Sequence, residues 1–500
     1  MKTKTIISIV IITIACITIF SLQAQETNPV KTISGIVTDS LGEPLPGTAI
    51  IVKGTNIRTL TNLDGKYSID VPPNAILQFS FIGMIRQEIA VDNQQSINVV
   101  MEDEGFPIAH STGLQPAQPI NLTASQRENA KIGNSFAFQM FGEVSRQEGN
   151  NTFFSPLSLN MALAMLYNGT SGNTRAEMAK ALGVSHLTDI EINEYYRKIM
   201  QALLGADPST DITIANSVWY HNDFSVKDSF VDINKNYFDA KVQALDFHYP
   251  AAVDIINKWV AEKTNNRIRG IVNELGLQEE MIVLINALYF KGKWENSIRF
   301  NKANTQLDDF TKPDGQKVRA YMMEQTNWFP YYANEYLQSI EMNYGNRAFS
   351  MVIILPSEDM TINQLMAHLD NEKWQNIVDN MQRQRVWLKL PRFRKENAFQ
   401  LNQPIRNVGM QRIFTDFNDF ANISNDELAL SSIMQKTFVE VNEEGTEAAA
   451  VTGMVVVGFG RVGAPPPPIP FFANRPFLYF IKERSTGVIL FMGRMDNPDV

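Results

Sequence analysis

The chain contains one cysteine in 500 residues, and that one, Cys16, lies close to the N-terminus. Beyond it the protein has no thiol nucleophile and no disulfide. Histidine is almost as scarce: five residues, at 110, 186, 221, 248 and 368, scattered without metal-ligand spacing. H-E-x-x-H, G-x-S-x-G and the P-loop signature are all missing, so the sequence predicts no catalytic residues, no metal and no enzyme activity. Lys and Arg total 44 against 53 Asp and Glu and never gather into a basic run. With a net charge of −9, the chain lacks the electrostatic footprint of a nucleic-acid binder.

Long apolar runs are also rare. The N-terminus, MKTKTIISIVIITIACITIFSLQAQE, has Lys2 and Lys4, an apolar core from Ile6 to Phe20, and Ala24 after a short polar stretch. It reads as a signal peptide over residues 1–24, which predicts export to the extracellular space, the periplasm or the outer-membrane surface. A membrane anchor is the alternative, but the run falls short of the roughly 20 residues a span needs. Cys16 could instead accept a lipid, although Thr13-Ile14-Ala15 before it matches that signal poorly. Removing Lys2 and Lys4 shifts the charge from −9 to −11.

Proline is absent from Phe438 to Ala464 and then occurs four times in succession, Pro465 to Pro468. Just before the prolines lies GFGRVG, residues 458–463, a formal match to the G-x-G-x-x-G turn that binds dinucleotides. That turn must open a helix whose free N–H groups meet the phosphates. Consecutive prolines supply no donors and cannot propagate a helix. No nucleotide or other cofactor is expected.

What is present is 44% hydrophobic and 19% charged residues, ordinary for a globular chain with a large core, and a length suited to about two to four domains. Residues 32–103 carry short β-rich runs separated by turn signals at Leu41-Gly42, Pro46-Gly47, Gly54-Thr55, Asp64-Gly65 and Pro72-Pro73, the pattern of a small β-sandwich. Residues 104–121, with three prolines and no period, read as a linker. Beyond it Ile132, Phe136 and Met140 share one helical face. Ser155 followed by Pro156 marks a helix start, with Leu159, Leu163 and Leu166 as its buried stripe. MIVLINALYF, SMVIILP, RVWLKLPRF, FLYFIKE and GVILFMGRM read as strands, giving an α+β domain over 122–500.

Two resemblances are carried by these residues. GIVTD, GEPLPGTAIIVKGT, TNLDGKYSIDV and FSFIGM resemble the carboxypeptidase regulatory-like module that precedes many exported proteins of one bacterial phylum, TonB-dependent receptors among them. The resemblance implies a noncatalytic Greek-key sandwich, serving as a spacer or a docking module. NTFFSPLSLNMALAMLYNGTSGNTRAEM, INKWVAEKTNNRIRGIV, LINALYFKGKWENSI, MVIILPSE, VGMQRIFTDFNDFANIS, VEVNEEGTEAAAVTG and FFANRPFLYFIKERSTGVILFMGRMDNP, in this order, resemble the serpins. That resemblance implies three β-sheets, eight to nine helices and an exposed reactive loop from Gly445 to about Pro470, offered as bait to a peptidase.

A serpin inhibits by being cut: the loop is acylated onto a serine or cysteine endopeptidase and inserts into the main sheet as a new strand, carrying the enzyme with it. Several residues suit this. An inserting strand can hold no proline, and the stretch before Pro465 holds none. One face carries Thr446, Ala448, Ala450, Thr452, Met454 and Val456, small at the hinge and larger and apolar further in, and the other Glu447, Ala449, Val451, Gly453 and Val455, with its charge at the edge where water can reach. From Gly445 to Phe459 the chain spans up to about 46 Å, enough for a full-length strand. Glu443, Glu444, Gly445, Thr446, Glu447, Ala448, Ala449 and Ala450 match the family's hinge.

Counting from the hinge glycine places the attacked bond at Phe459–Gly460; counting back from FFANRPF points instead to Arg461–Val462. Phe459 predicts chymotrypsin-like targets first, Arg461 trypsin-like ones, and Val455 to Val457 elastase-like ones. Ser155, Ser158 and Asn286 match the cluster beneath the opening point of the main sheet, with Gln435 where many relatives carry histidine, and Trp294 matches a tryptophan under the sheet's upper end. The segment 187–200 lacks the basic stripe of heparin-activated relatives, so no such activator is expected, and the protein is expected to be a monomer. The alternative is a noninhibitory serpin or a surface binding module.

Overall fold

The computed structural model describes residues 31–38, 44–81, 84–101, 116–272, 277, 280–446 and 467–498. By its internal contacts the chain forms two units, Met1–Ala109 and His110–Val500.

In the first unit the period-2 pattern of the sequence becomes two small sheets. β1 (Lys31–Thr38) pairs with β4 (Lys66–Val71) antiparallel and with β7 (Val99–Val100) parallel. β2 (Ala49–Val52) lies between β3 (Arg58–Leu60) and β5 (Ile76–Ser80), and β5 pairs in turn with β6 (Gln87–Ala90). On β4, Tyr67, Ile69 and Val71 are buried while Lys66, Ser68 and Asp70 are exposed. They meet Ile33, Val37, Ile50, Leu77 and Phe79 in one core, each large apolar side chain contributing about 1.5–3 kcal/mol on full burial. Gly35 is fixed by a close approach, since a Cβ there would lie 1.9 Å from the Ile97 carbonyl oxygen.

The second unit holds nine α-helices among the described residues. They are α1 (Ala124–Glu148), α2 (Pro156–Tyr167), α3 (Gly172–Ala181), α4 (Asp189–Gly205), α5 (Asp228–Phe238), α6 (Ala251–Lys263), α7 (Ile362–His368), α8 (Asn371–Asp379) and α9 (Asn402–Asn407). Thr123 and Gln126 close a capping box on α1, and Gly149 ends it with φ 73°. α2 differs from the amphipathic helix its sequence suggests, because all twelve of its residues are buried. Its polar residues Ser158 and Asn160 are satisfied inside the protein, so no solvent face is needed.

Around α2 are two large sheets. One runs β10 (Lys241–Leu245), β9 (Thr210–His221), β11 (Ile282–Lys293), β19 (Gly445–Thr446), β18 (Leu430–Asn442), β17 (Phe393–Gln400). The other runs β20 (Ile469–Phe472), β16 (Gln382–Pro391), β13 (Lys317–Ala333), β14 (Leu337–Asn343), β15 (Phe349–Pro356), β21 (Phe477–Glu483), β22 (Ile489–Met495), β8 (Thr152–Phe154), with β12 (Gln306–Thr311) beside β13. Two of the three sheets expected are thus joined by β13: Met322 to Tyr331 pair with β16, and Tyr331 to Ala333 with β14.

The six-stranded sheet has a core on each face. α2 and β22 contribute to one, while Trp259, Ile256 and Val260 of α6 pack with Trp219, Val283, Ile285 and Tyr289 in the other. Ile282 to Phe290 are accordingly all buried, which is why β11 reads as an unbroken apolar run rather than an alternating one.

Candidate functional site

β11 and β18 run parallel and bond directly to each other from Ile282–Leu430 to Tyr289–Phe438. Above that ladder they separate, and β19 occupies the gap. It is antiparallel to both neighbours, with Gly292 opposite Thr446 and Lys293 opposite Gly445 on one side, and Val441 opposite Thr446 and Asn442 opposite Gly445 on the other. The chain therefore reverses after β18 and starts a new strand inside its own sheet. Parallel pairing is slightly less stable per residue than antiparallel pairing. Lengthening β19 downward would replace one parallel ladder by two antiparallel ones.

The reversal is held firmly. The Glu443 and Glu444 carbonyls accept from the backbone amides of Phe300 and Trp294 at 3.0 and 2.8 Å. The Glu443 carboxylate, 2% exposed, accepts from Arg392 Nε at 2.7 Å and from the Thr305 hydroxyl at 2.6 Å. Glu444 pairs with Lys302 at 3.0 Å. Gly445 has φ 145°, and a Cβ there would meet the Gly292 carbonyl oxygen at 2.2 Å, so this position admits glycine alone. Thr446 is 1% exposed, and its hydroxyl lies 2.8 Å from that of Tyr344. Tyr344 stacks on Trp294 with ring centroids 4.6 Å apart, and Trp294 Nε1 donates to the Asn442 carbonyl at 3.0 Å.

Burial alone would raise the Glu443 pKa, but the Arg392 guanidinium and the Thr305 hydroxyl outweigh it and hold the carboxyl below the usual range. A depressed native pKa adds stability that is full above the unfolded value, about 4.3 for Glu, and is lost as pH falls through the native value. Denaturant unfolding followed from pH 6 to pH 3 is expected to show a steeper loss for the wild type than for Glu443→Gln. Parallel profiles would show that this carboxylate does not anchor the hinge.

Lower in the same seam is a buried polar row. Gln435 Oε1 accepts from the Ser155 backbone amide at 2.9 Å, and its Nε2 donates to the Ser155 carbonyl at 2.8 Å and to Asn286 Oδ1 at 3.4 Å. Ser158 Oγ also donates to Asn286 Oδ1. Asn286 Nδ2 donates to Asn216 Oδ1 at 2.7 Å, and Ser155 Oγ to the Leu490 carbonyl at 2.8 Å. The row crosses β9, β11 and β18 and ends on α2 and β22. The Gln435–Asn286 contact is its link across the parallel seam.

Ser155, Ser158, Asn286 and Gln435 are thus brought together, with Asn216 as a member the sequence did not single out. Trp294 stands apart from them, about 26 Å along β11 from Asn286, where it belongs with the hinge. Arg392, Thr305 and Tyr344 also serve the hinge without a sequence signal. Of the hinge residues, Glu443, Glu444, Gly445 and Thr446 are described; Glu447, Ala448, Ala449 and Ala450 lie outside the described residues, as do Phe459, Gly460, Arg461 and Val462. The chain re-enters at β20, parallel to β16. His221 and His248, distant in sequence, come together with ring centroids 5.0 Å apart. Among the described residues no group of three or more His, Cys, Asp or Glu could hold a metal ion.

Residues 131–498 match the family described as serpin (serine protease inhibitor), and residues 33–106 match the CarboxypepD_reg-like domain. An uncharacterized serpin-like protein of Thermococcus kodakarensis is 37% identical over 371 residues, covering 73% of this chain and 84% of the relative. Human neuroserpin is 34% identical over 366 residues, covering 70% and 87%. The crystal structure of the thermophilic serpin tengpin in its native state superposes with a TM-score of 0.68 at 30% identity, covering 77% of this chain and 97% of that one.

Proposed function

Because the chain belongs to the serpin family and carries a carboxypeptidase regulatory-like domain before it, we propose that it is an exported inhibitory serpin that traps serine endopeptidases irreversibly. The observation that carries this reading is β19, two residues of the loop already paired with both strands of a parallel seam.

Extending its register gives the mechanism. Each further residue of the loop falls one residue lower on β11 and on β18. Thr452 then comes opposite Asn286 and Gln435, and Val456 opposite Ile282, the lower end of the parallel ladder, about 33 Å from Gly292. A new strand there doubles the spacing between β11 and β18 from about 4.8 Å to about 9.6 Å, which breaks the Gln435–Asn286 contact. The Thr452 hydroxyl, both donor and acceptor, can bridge the two amides in its place.

Insertion follows acylation. The peptidase's serine oxygen attacks the Phe459 carbonyl, the Phe459–Gly460 bond breaks, and the Gly460 amine takes up the serine's proton and becomes the N-terminus of a C-terminal segment still held in the nine-stranded sheet by β20, β21 and β22. Phe459 keeps the enzyme as an ester. With Val456 at the foot of the seam, that ester is drawn to the far end of the sheet before water can cleave it. Energy stored in the uncut sheet drives the step. Phe459 favours chymotrypsin-like enzymes, with Arg461 as the trypsin-like alternative.

Incubating the protein with chymotrypsin and, separately, with trypsin tests the reading. The expected result is a covalent complex that survives SDS and a released peptide whose mass begins at Gly460, or at Val462 if Arg461 is the attacked residue. Quantitative cleavage without a complex would sink the inhibitory reading.

A further inference from the structure

Away from the seam, the C-terminal half of α1, α7 and the end of β22 border an open cleft of about 620 Å³. Ligand pockets commonly measure about 300–1,000 Å³. Phe138, Gly142, Met366 and Ala367 give it apolar walls. Gly142 sits inside a 25-residue helix, where glycine weakens the helix relative to alanine. Packing does not demand it, because a Cβ at Gly142 would meet nothing nearer than Arg146 Nη2 at 3.9 Å. The missing side chain leaves volume open to the cleft.

The polar side chains lining this space are Gln139, Ser145, Arg146, Asn363 and Arg494; none is acidic and all can donate. Ser145 is 1% exposed and its hydroxyl has no hydrogen-bond partner, although such buried groups are normally satisfied. Arg494 is neutralised by Asp496 at 2.7 Å, and its Nη1 donates to Asn363 Oδ1 at 2.7 Å. That bond fixes the Asn363 amide so that Nδ2 is the end left to donate. Arg146 lines the cleft with a side chain 72% exposed, held by one ion pair to Glu143. Apolar walls and a row of donors beside a cation suit a ligand with an apolar body and an acceptor-only, anionic head.

We propose that this cleft binds a small amphipathic carboxylic acid, its chain against Phe138, Gly142 and Met366 and its carboxylate towards Ser145, Asn363 and Arg146. The site does not depend on the inhibitory reading, because none of its residues belongs to the seam or the hinge.

The test uses the full chain and dansyl-undecanoic acid as a fluorescent probe. Saturable binding is expected, competed by undecanoate and roughly tenfold less well by undecanol, which lacks the charge-assisted hydrogen bonds. Gly142→Leu fills the cleft and is expected to lose the probe while melting at or above the wild-type temperature. Should Gly142→Leu fail to melt cooperatively, Ala367→Leu fills the same space from the opposite wall. Arg146→Ala is expected to weaken the acid and leave the alcohol unchanged. Absence of saturable binding, wild-type binding by a folded cleft-filling variant, or equal competition by acid and alcohol would overturn the proposal.

Discussion

Thr446→Arg is expected to turn the protein from an inhibitor into a substrate, cleaved at the same bond at a comparable rate but leaving almost no SDS-stable complex. Thr446 is the first loop residue whose side chain enters the sheet, 1% exposed and bonded to the Tyr344 hydroxyl. Arginine there would bury a charge with no carboxylate placed to meet it, since Glu443 is already taken by Arg392 and Glu444 by Lys302. An uncompensated buried charge costs about 3–5 kcal/mol. In the uncut protein that cost displaces β19 from the sheet, and insertion, which must bury the residue again, slows by roughly a hundred- to several-thousand-fold. Deacylation, which the substitution does not touch, then wins. Inhibition stoichiometry by titration against chymotrypsin, with the melting temperature of the cut form, checks this. Wild-type cleavage is expected to raise the melting temperature, and the arginine variant to gain much less. Thr446→Ser keeps the hydroxyl and should trap normally. Undiminished complex formation by Thr446→Arg would mean that insertion does not begin at this residue.

How far the sequence reveals such a device depends on whether its parts are local. The strand character of β11, β15, β16, β21 and β22 is written in apolar runs, and Ser155–Pro156 in the N-cap of α2. The reversal at Gly445 is legible as well, since the glycine it requires stands in a motif of consecutive residues. The parts that hold it are not, because pairing is decided by topology. Glu443 is gripped by Arg392, 51 residues away, and by Thr305, 138 residues away, and no period links them. Tyr344 carries no motif at all. α2 gives the opposite failure: its leucine spacing suggests an exposed face, whereas the helix is buried all round between the two sheets, and Ser158 becomes an interior donor to Asn286 of β11. Asn216 has no local signal of its own, and its amide becomes important only because β9 is registered against β11 with Asn216 opposite Asn286. His221 and His248 meet for a similar reason, the parallel pairing of β10 with β9.

Gln435→Leu is the second substitution with a large expected effect, and it acts before any peptidase arrives. Leucine fills a similar volume but supplies neither the acceptor for the Ser155 amide nor the donors for the Ser155 carbonyl and Asn286. The Ser155 amide is left buried without an acceptor, at a cost of about 1–3 kcal/mol, while the Ser155 carbonyl keeps the Leu159 amide and Asn286 Oδ1 keeps Ser158, each losing one ordinary hydrogen bond worth about 0.5–1.5 kcal/mol. A loss of roughly 3 kcal/mol is therefore expected in the uncut protein, read as a lower denaturant midpoint with an unchanged slope. Removing the link across the seam should also let β11 and β18 separate more readily, so heating should convert the variant sooner into loop-inserted or polymeric forms, visible on native gels. Thr452→Val separates this effect from the one after cleavage. Its register places it at the row only once the loop is in the sheet, so the uncut form should keep its stability while the cut form loses about 0.5–1.5 kcal/mol, the worth of an ordinary hydrogen bond. A loss of the same size in both forms would mean that Thr452 acts elsewhere. A Gln435→Leu protein as stable as the wild type would mean that apolar contacts alone hold the seam closed.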